Sequence, residues 1–243
     1  MGTSLSLVKP LYRCAFVSQR FVARSSVMVL TLYKLDASPP ARAVMMVIEA
    51  LGIPDVEYVD VDLFGKDHLK DEFLQMNPQH TIPTLKDDDF VVWDSHAIAG
   101  YLVSQYGDTD ALYPKDPKKR ALIDQRLHFD SGILFPALRG TVEPILFRGE
   151  KSFNPEMLTK IKAAYDFSES FLTSPWLVGD DVTIADICCV ATLSSLTAIV
   201  PVDESTHPNL TAWLARCATK EFYKKANQPG VEILAQVVKS KVE

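Results

Sequence analysis

Past residue 28, the apolar positions change period in an ordered way. Val29-Leu30-Thr31-Leu32-Tyr33 is a run of β formers and predicts a strand. Val44, Val47, Ile48 and Leu51 then recur at i, i+3, i+4 and i+7, the stripe of an amphipathic helix that Gly52 closes. Val56 to Val61 predicts a second strand, and because a helix intervenes the two strands are expected to run parallel. A short helix is expected around residues 67–75. Two further strands flank the acidic turn Lys86-Asp87-Asp88-Asp89, and a helix from Ser95 to Tyr106 stops at Gly107.

Residues 108–117, with Pro114, Asp116 and Pro117, read as an exposed linker, after which the period stays helical. Leu122, Phe129, Leu134, Leu138 and Val142 mark the first stretch, in which Pro136 and Pro144 are expected to kink or break the helix. A second helix is predicted over 155–172. Thr183-Ile184-Ala185-Asp186 is a capping-box variant with Val182 and Ile187 as its staple, opening a nearly all-apolar run to Val200 that predicts a central buried helix. Residues 231–238 predict a last amphipathic helix that lies over the site. The order β-α-β-α-β-β-α, with Pro83 entering the third strand, is thioredoxin-like. The fold class is therefore α+β in two domains: a thioredoxin-like domain at 28–107 and an all-α domain at 118–243.

Composition narrows the function. The chain has 243 residues and a net charge of −6, which argues against nucleic acid as the main partner. No apolar run approaches a membrane span. Cys14, Cys188, Cys189 and Cys217 have no Cys-x-x-Cys spacing and the histidines are scattered, so no metal site is expected. Residues 1–27 hold Lys9, Arg13, Arg20 and Arg24 and no acid. That pattern fits a mitochondrial transit peptide or a leader ahead of an initiator at Met28, and the two readings place the protein in mitochondrion or cytoplasm respectively.

Two places carry candidate chemistry. Ser38, before Pro39 and Pro40, stands where the first strand meets the first helix. Asn77 to Ile98 holds an X-Pro bond at Ile82-Pro83, a candidate cis peptide, and then Asp94-Ser95 at a helix start suited to a carboxylate.

Ser-Pro-Pro-x-Arg-Ala at 38–43, Gly-Lys-Asp-His-Leu-Lys at 65–70, Asn-Pro-Gln-His-Thr-Ile-Pro-Thr-Leu at 77–85 and Asp-Ser-His-Ala-Ile at 94–98 resemble insect glutathione S-transferases of the delta and epsilon classes, epsilon most closely. The resemblance runs from Val29 to the C-terminus. It implies a homodimer that conjugates glutathione to hydrophobic electrophiles, with dehydrochlorination of insecticides such as DDT and peroxidase activity as further possibilities of the family.

The resemblance makes Ser38 the donor to the glutathione sulfur. A free thiol has a pKa of about 8.5. Ionising it at neutral pH takes a drop of roughly two units, about 3 kcal/mol. One hydrogen bond to a charged group is worth about 1.5–3 kcal/mol, so a single hydroxyl supplies most of it. By the same resemblance Ile82 and Pro83 hold the cysteinyl backbone, Asp94 the α-amine, Ser95 and the helix N-terminus the α-carboxylate, and His68 and His80 the glycyl carboxylate. Leu35, Phe135, Leu138 and Phe147 are expected to line the electrophile site, with Arg139 reaching toward glutathione or the electrophile. His96 is expected to face a dimer contact or solvent. Asp94 departs from the family's more frequent glutamate. A competing class is a non-catalytic binder of lipophilic ligands on the same fold.

Overall fold

The computed structural model describes residues 30–242. The reading of residues 1–27 and Cys14 falls outside them. Strand β1 (Leu30–Lys34) leads into helix α1 (Pro39–Leu51), and β2 (Glu57–Asp60) returns beside β1 in parallel. A 3-10 turn at Asp67–Leu69 and helix α2 (Asp71–Met76) precede β3 (Thr84–Asp87), β4 (Phe90–Trp93) and α3 (Ser95–Tyr106). The sheet order is β2-β1-β3-β4, with β3 antiparallel to both its neighbours. This is the thioredoxin-like order expected from the sequence.

The predicted stripe on α1 is the buried one. Val44, Val47 and Ile48 are inaccessible or nearly so, and α1 packs against α3. Each such side chain contributes about 1.5–3 kcal/mol of burial. Gly52 ends the helix in the left-handed region at φ 64°, and the Ile53 N–H closes back on the Ile48 carbonyl at 3.2 Å.

The rest is helical: α4 (Pro117–Phe129), α5 (Phe135–Phe147), α6 (Pro155–Phe171), α7 (Ile184–Ile199), α8 (Pro208–Ala218), α9 (Glu221–Ala226) and α10 (Gln228–Lys239). Every residue of α7 from Ile184 to Leu196 is buried, so the continuous apolar run is the central helix of this half. Asp186 reaches back to the Thr183 N–H at 2.9 Å with one oxygen. With the other it takes the Leu177 N–H at 2.8 Å and the Trp213 indole N–H at 3.0 Å. Cys188, Cys189 and Cys217 are free and buried, and burial pushes their thiols up, so they stay neutral.

The expectation that Pro136 breaks the first long helix is corrected. A π-helical turn at Asp130–Leu134 joins α4 to α5 without interruption, and the Phe135 N–H reaches the Asp130 carbonyl. The wider turn lets the chain pass a residue that cannot donate, so Pro136 falls harmlessly in the first turn of α5. Pro144 sits inside α5 but only three residues before its end.

The two halves are pinned by a charge. Arg42 of α1 is fully buried against α7 and α10. Its guanidinium donates to the carbonyls of Ala37 (3.2 Å) and Ala191 (3.2 Å), to Oδ1 of Asn227 (2.9 Å) and to the hydroxyl of Ser195.

Candidate functional site

A cleft of about 910 Å³ lies between the sheet half and the helical half. All twelve residues singled out from the sequence line it: Leu35, Ser38, His68, His80, Ile82, Pro83, Asp94, Ser95, Phe135, Leu138, Arg139 and Phe147. One wall is polar and built from loops of the sheet half. The other is apolar and built from α5 and α10, which adds Ile233, Leu234 and Val237.

Ser38 is the residue just before α1, yet its hydroxyl caps nothing. The reason is local: Pro39 and Pro40 fill the first two helical positions, and a proline has no N–H to offer a capping oxygen. Its main chain is fixed instead, the N–H donating to Leu35 at 2.9 Å and the carbonyl accepting from Arg42 at 3.0 Å. A hydroxyl thus stands at a helix N-terminus, half-buried and without a partner among the described residues.

The loop before β3 is held by Asn77, which the sequence reading did not single out. Its amide donates to the Thr81 carbonyl at 3.0 Å and to the Thr84 hydroxyl at 2.9 Å, while its oxygen takes the Gln79 N–H at 2.9 Å. The Ile82–Pro83 peptide is cis. Ile82 lies one residue outside the paired region of β3 once Pro83 is passed, and its N–H and carbonyl make no main-chain bond within the described residues. An extended peptide can pair there as an added strand.

At the start of α3, Asp94 has φ 75° and caps the helix: one of its oxygens accepts the N–H groups of His96 (3.0 Å) and Ala97 (3.1 Å). The helix N-terminus is therefore less open to a ligand carboxylate than the sequence suggested. Its remaining donors are the N–H and hydroxyl of Ser95.

His96 corrects a second expectation. It does not face solvent: its Nε2 lies 2.9 Å from Oδ2 of Asp130, and both side chains are largely buried where they line the cleft. Burial by itself lowers the imidazole pKa, but the hydrogen bond and charge of Asp130, with the charge of Asp94, outweigh it and hold His96 above its usual value. The second oxygen of Asp130 is buried with no partner in the described residues, and so is Nδ1 of His68. Of the three buried side-chain polar atoms in that condition among the described residues, two belong to residues that line the cleft, although the atoms themselves are closed off from it; the third belongs to Arg126. Burial, then the neighbouring His80, lowers the His68 pKa against the pull of Asp67. The ring centroids of His68 and His80 are 6.0 Å apart.

Arg139 has its partner: Nε meets Glu143 one turn on at 2.6 Å, and Arg148 meets the other oxygen of Glu143 at 2.7 Å. Phe147 is half-exposed and stacks on Phe64 across the mouth, ring centroids 5.0 Å apart and planes 28° apart. No helix among the described residues is long and apolar enough to cross a membrane.

Comparison with known proteins falls on one family. Residues 32–110 match the model of the glutathione S-transferase N-terminal domain and residues 122–221 that of its C-terminal domain. Glutathione S-transferase 1 of Manduca sexta is 66% identical over 216 residues, which is 88% of this chain and 100% of the relative. Among solved structures, an epsilon-class glutathione S-transferase from the housefly Musca domestica superposes with a TM-score of 0.85 at 46% identity, covering 87% of this chain and 98% of that one. A glutathione transferase homologue from Drosophila mojavensis with bound glutathione gives 0.86 at 43% identity, covering 88% and 98%.

Proposed function

The chain belongs to the glutathione S-transferase family, and from that premise we propose that Ser38 activates glutathione for attack on hydrophobic electrophiles. The observation that carries this reading is the uncommitted Ser38 hydroxyl at the N-terminus of α1, opening on the same cleft as Ile82 and Ser95. The hydroxyl donates to the glutathione thiolate and holds it ionised, and the positive end of α1 adds to the effect. The thiolate attacks the electrophilic carbon; a C–S bond forms and the leaving group departs with its electron pair.

Glutathione's backbone pairs with Ile82, its α-carboxylate with Ser95, and its glycyl carboxylate with His68 and His80. The α-amine meets Asp94, whose shorter reach is already committed as a cap. Leu35, Phe135, Leu138 and Phe147 bound the electrophile site, with Arg139 at its rim.

The same thiolate, acting as a base, removes a proton from a chlorinated ethane such as DDT while chloride leaves, and this elimination belongs to the reading. So does peroxide reduction, in which two glutathiones become a disulfide and the peroxide becomes alcohol and water. The protein acts as a cytoplasmic homodimer; exposed Phe90 and Leu122 supply apolar surface for the contact. The apolar wall of the cleft also favours a second reading, storage of lipophilic ligands without turnover.

Conjugation of glutathione to 1-chloro-2,4-dinitrobenzene by the chain from Met28 and by Ser38→Ala decides between them. Activity that falls at least tenfold in the variant, with the pH midpoint of its rate moved upward, supports the proposal. Activity that survives the substitution overturns the role of Ser38, and none in either protein favours storage.

A further inference from the structure

We propose that the electrophile this cleft is built for is amphipathic and acidic: an apolar body bearing the reactive carbon, with a carboxylate or similar anion at its far end. The proposal rests on the transferase reading and names the class of its second substrate.

The α5 and α10 wall of the cleft is apolar, as any hydrophobic electrophile requires. The mouth is different. Phe64, from the loop after β2, and Phe147, from the end of α5, stack there while 59% and 51% exposed. Lys66 and Arg139 line the same cleft as this aromatic pair, and Arg148, next to Phe147 in the chain, reaches the lining carboxylate of Glu143 at 2.7 Å. The nearest carboxylate on α5, Glu143, is shared between both arginines, whose hydrogen bonds and then charges hold its pKa below the usual glutamate range. Lys66 has no carboxylate partner among the described residues.

The acids of its own loop have other partners. Asp62 accepts the Phe64 N–H at 2.9 Å, and Asp67 pairs with Lys70 at 2.6 Å. Two lining cations, Lys66 and Arg139, with Arg148 on the lining Glu143, thus stand on this side of the cleft in a protein whose net charge is −6. A neutral electrophile uses none of them. An acid with an apolar body uses both parts: its chain passes beneath the aromatic pair, and its anion meets guanidinium groups whose planar forks fit a carboxylate. Glutathione's own carboxylates do not account for the two arginines, since His68, His80 and Ser95 serve them.

The test uses one electrophile in two forms, 4-phenylbut-3-en-2-one carrying a para butanoate chain, as the free acid and as its methyl ester. With saturating glutathione at low ionic strength, kcat/KM is expected to favour the acid by about three- to tenfold, the effect of two partly exposed ion pairs. The preference should shrink in salt, approach one in the Arg139→Gln/Arg148→Gln double variant, and grow in Glu143→Gln, where both arginines lose their internal partner. Because the ratio is read within each protein, any change in basal rate cancels. Equal rates for acid and ester, or a preference that persists without the two arginines, overturn the proposal. If neither form is conjugated the transferase reading has failed, and equilibrium binding of the same pair by tryptophan quenching still decides: tighter, arginine-dependent binding of the acid sustains the charge preference, and equal binding ends it.

Discussion

Nε of Arg42 donates to Oδ1 of Asn227 at 2.9 Å, joining two residues that stand 185 positions apart in the chain. The same guanidinium holds the carbonyl of Ala37, the residue before Ser38. One buried cation therefore fixes both the seam between the halves and the turn that presents the hydroxyl.

Replacing Arg42 by methionine keeps most of the volume and strands five acceptors in a dry seam. Burial already lowers its pKa to about 10, which leaves it charged at neutral pH. Each buried acceptor left unpaired costs about 1–3 kcal/mol, so the loss is of the order of several kcal/mol. Urea unfolding of Arg42→Met should show a drop of that order together with reduced conjugation. A stability change below about 1 kcal/mol would show that the network is dispensable.

Ser38→Ala should behave in the opposite way. A capping serine costs typically about 1 kcal/mol when removed. Here the hydroxyl caps nothing, so thermal unfolding of the variant should match the parent within about 0.5 kcal/mol while activity falls. A large loss of stability would mean that the hydroxyl supports the fold.

Gly230 sits on α10 against the turn of β1 and α1. A Cβ built there would lie 2.0 Å from the Asp36 carbonyl oxygen and 2.5 Å from the Arg42 side chain. Backbone cannot give way as a flexible side chain does. Gly230→Ala should destabilise by about 1–3 kcal/mol and lower kcat/KM, because relief pushes α10 off the cleft. An unchanged rate with lowered stability would separate the packing of α10 from the geometry of the site.

The His96–Asp130 pair gives stability a pH dependence. The folded-state pKa of His96 is raised above its ordinary 6.5, so the stabilisation is complete below about pH 6.5 and fades as pH rises through the folded value. The stability of the parent minus that of His96→Gln, measured by urea at a series of pH values, should shrink as pH climbs out of the acid range. A difference that stays flat or grows would refute the pairing.

What could be read in the chain follows from how local each signal is. The stripe on α1, the reach-back of Asp186 to Thr183 and the Ser38-Pro39-Pro40 turn are set by neighbours in sequence, and each is found where the pattern put it. Even the idle Ser38 hydroxyl was implicit in the two prolines. His96 was misjudged because its partner lies 34 residues on, in a π turn that no periodicity announces. That turn also hid the harmlessness of Pro136. Arg42 stood in a quoted motif, but its partners on α7 and before α10 are long-range and mostly main-chain, and composition does not record carbonyls. The stack of Phe64 on Phe147 is equally a property of the assembled molecule.

The dependence of the Ser38 turn on Gly230 also orders events in time. A chain made from its N-terminus exposes Ser38 and the loop of Ile82 long before α10 exists. Until Gly230 settles beside Asp36 and the Arg42–Asn227 bond closes, the wall opposite that hydroxyl lacks the part that α10 supplies. The cleft is therefore complete only once α10 has docked on the turn that carries Ser38.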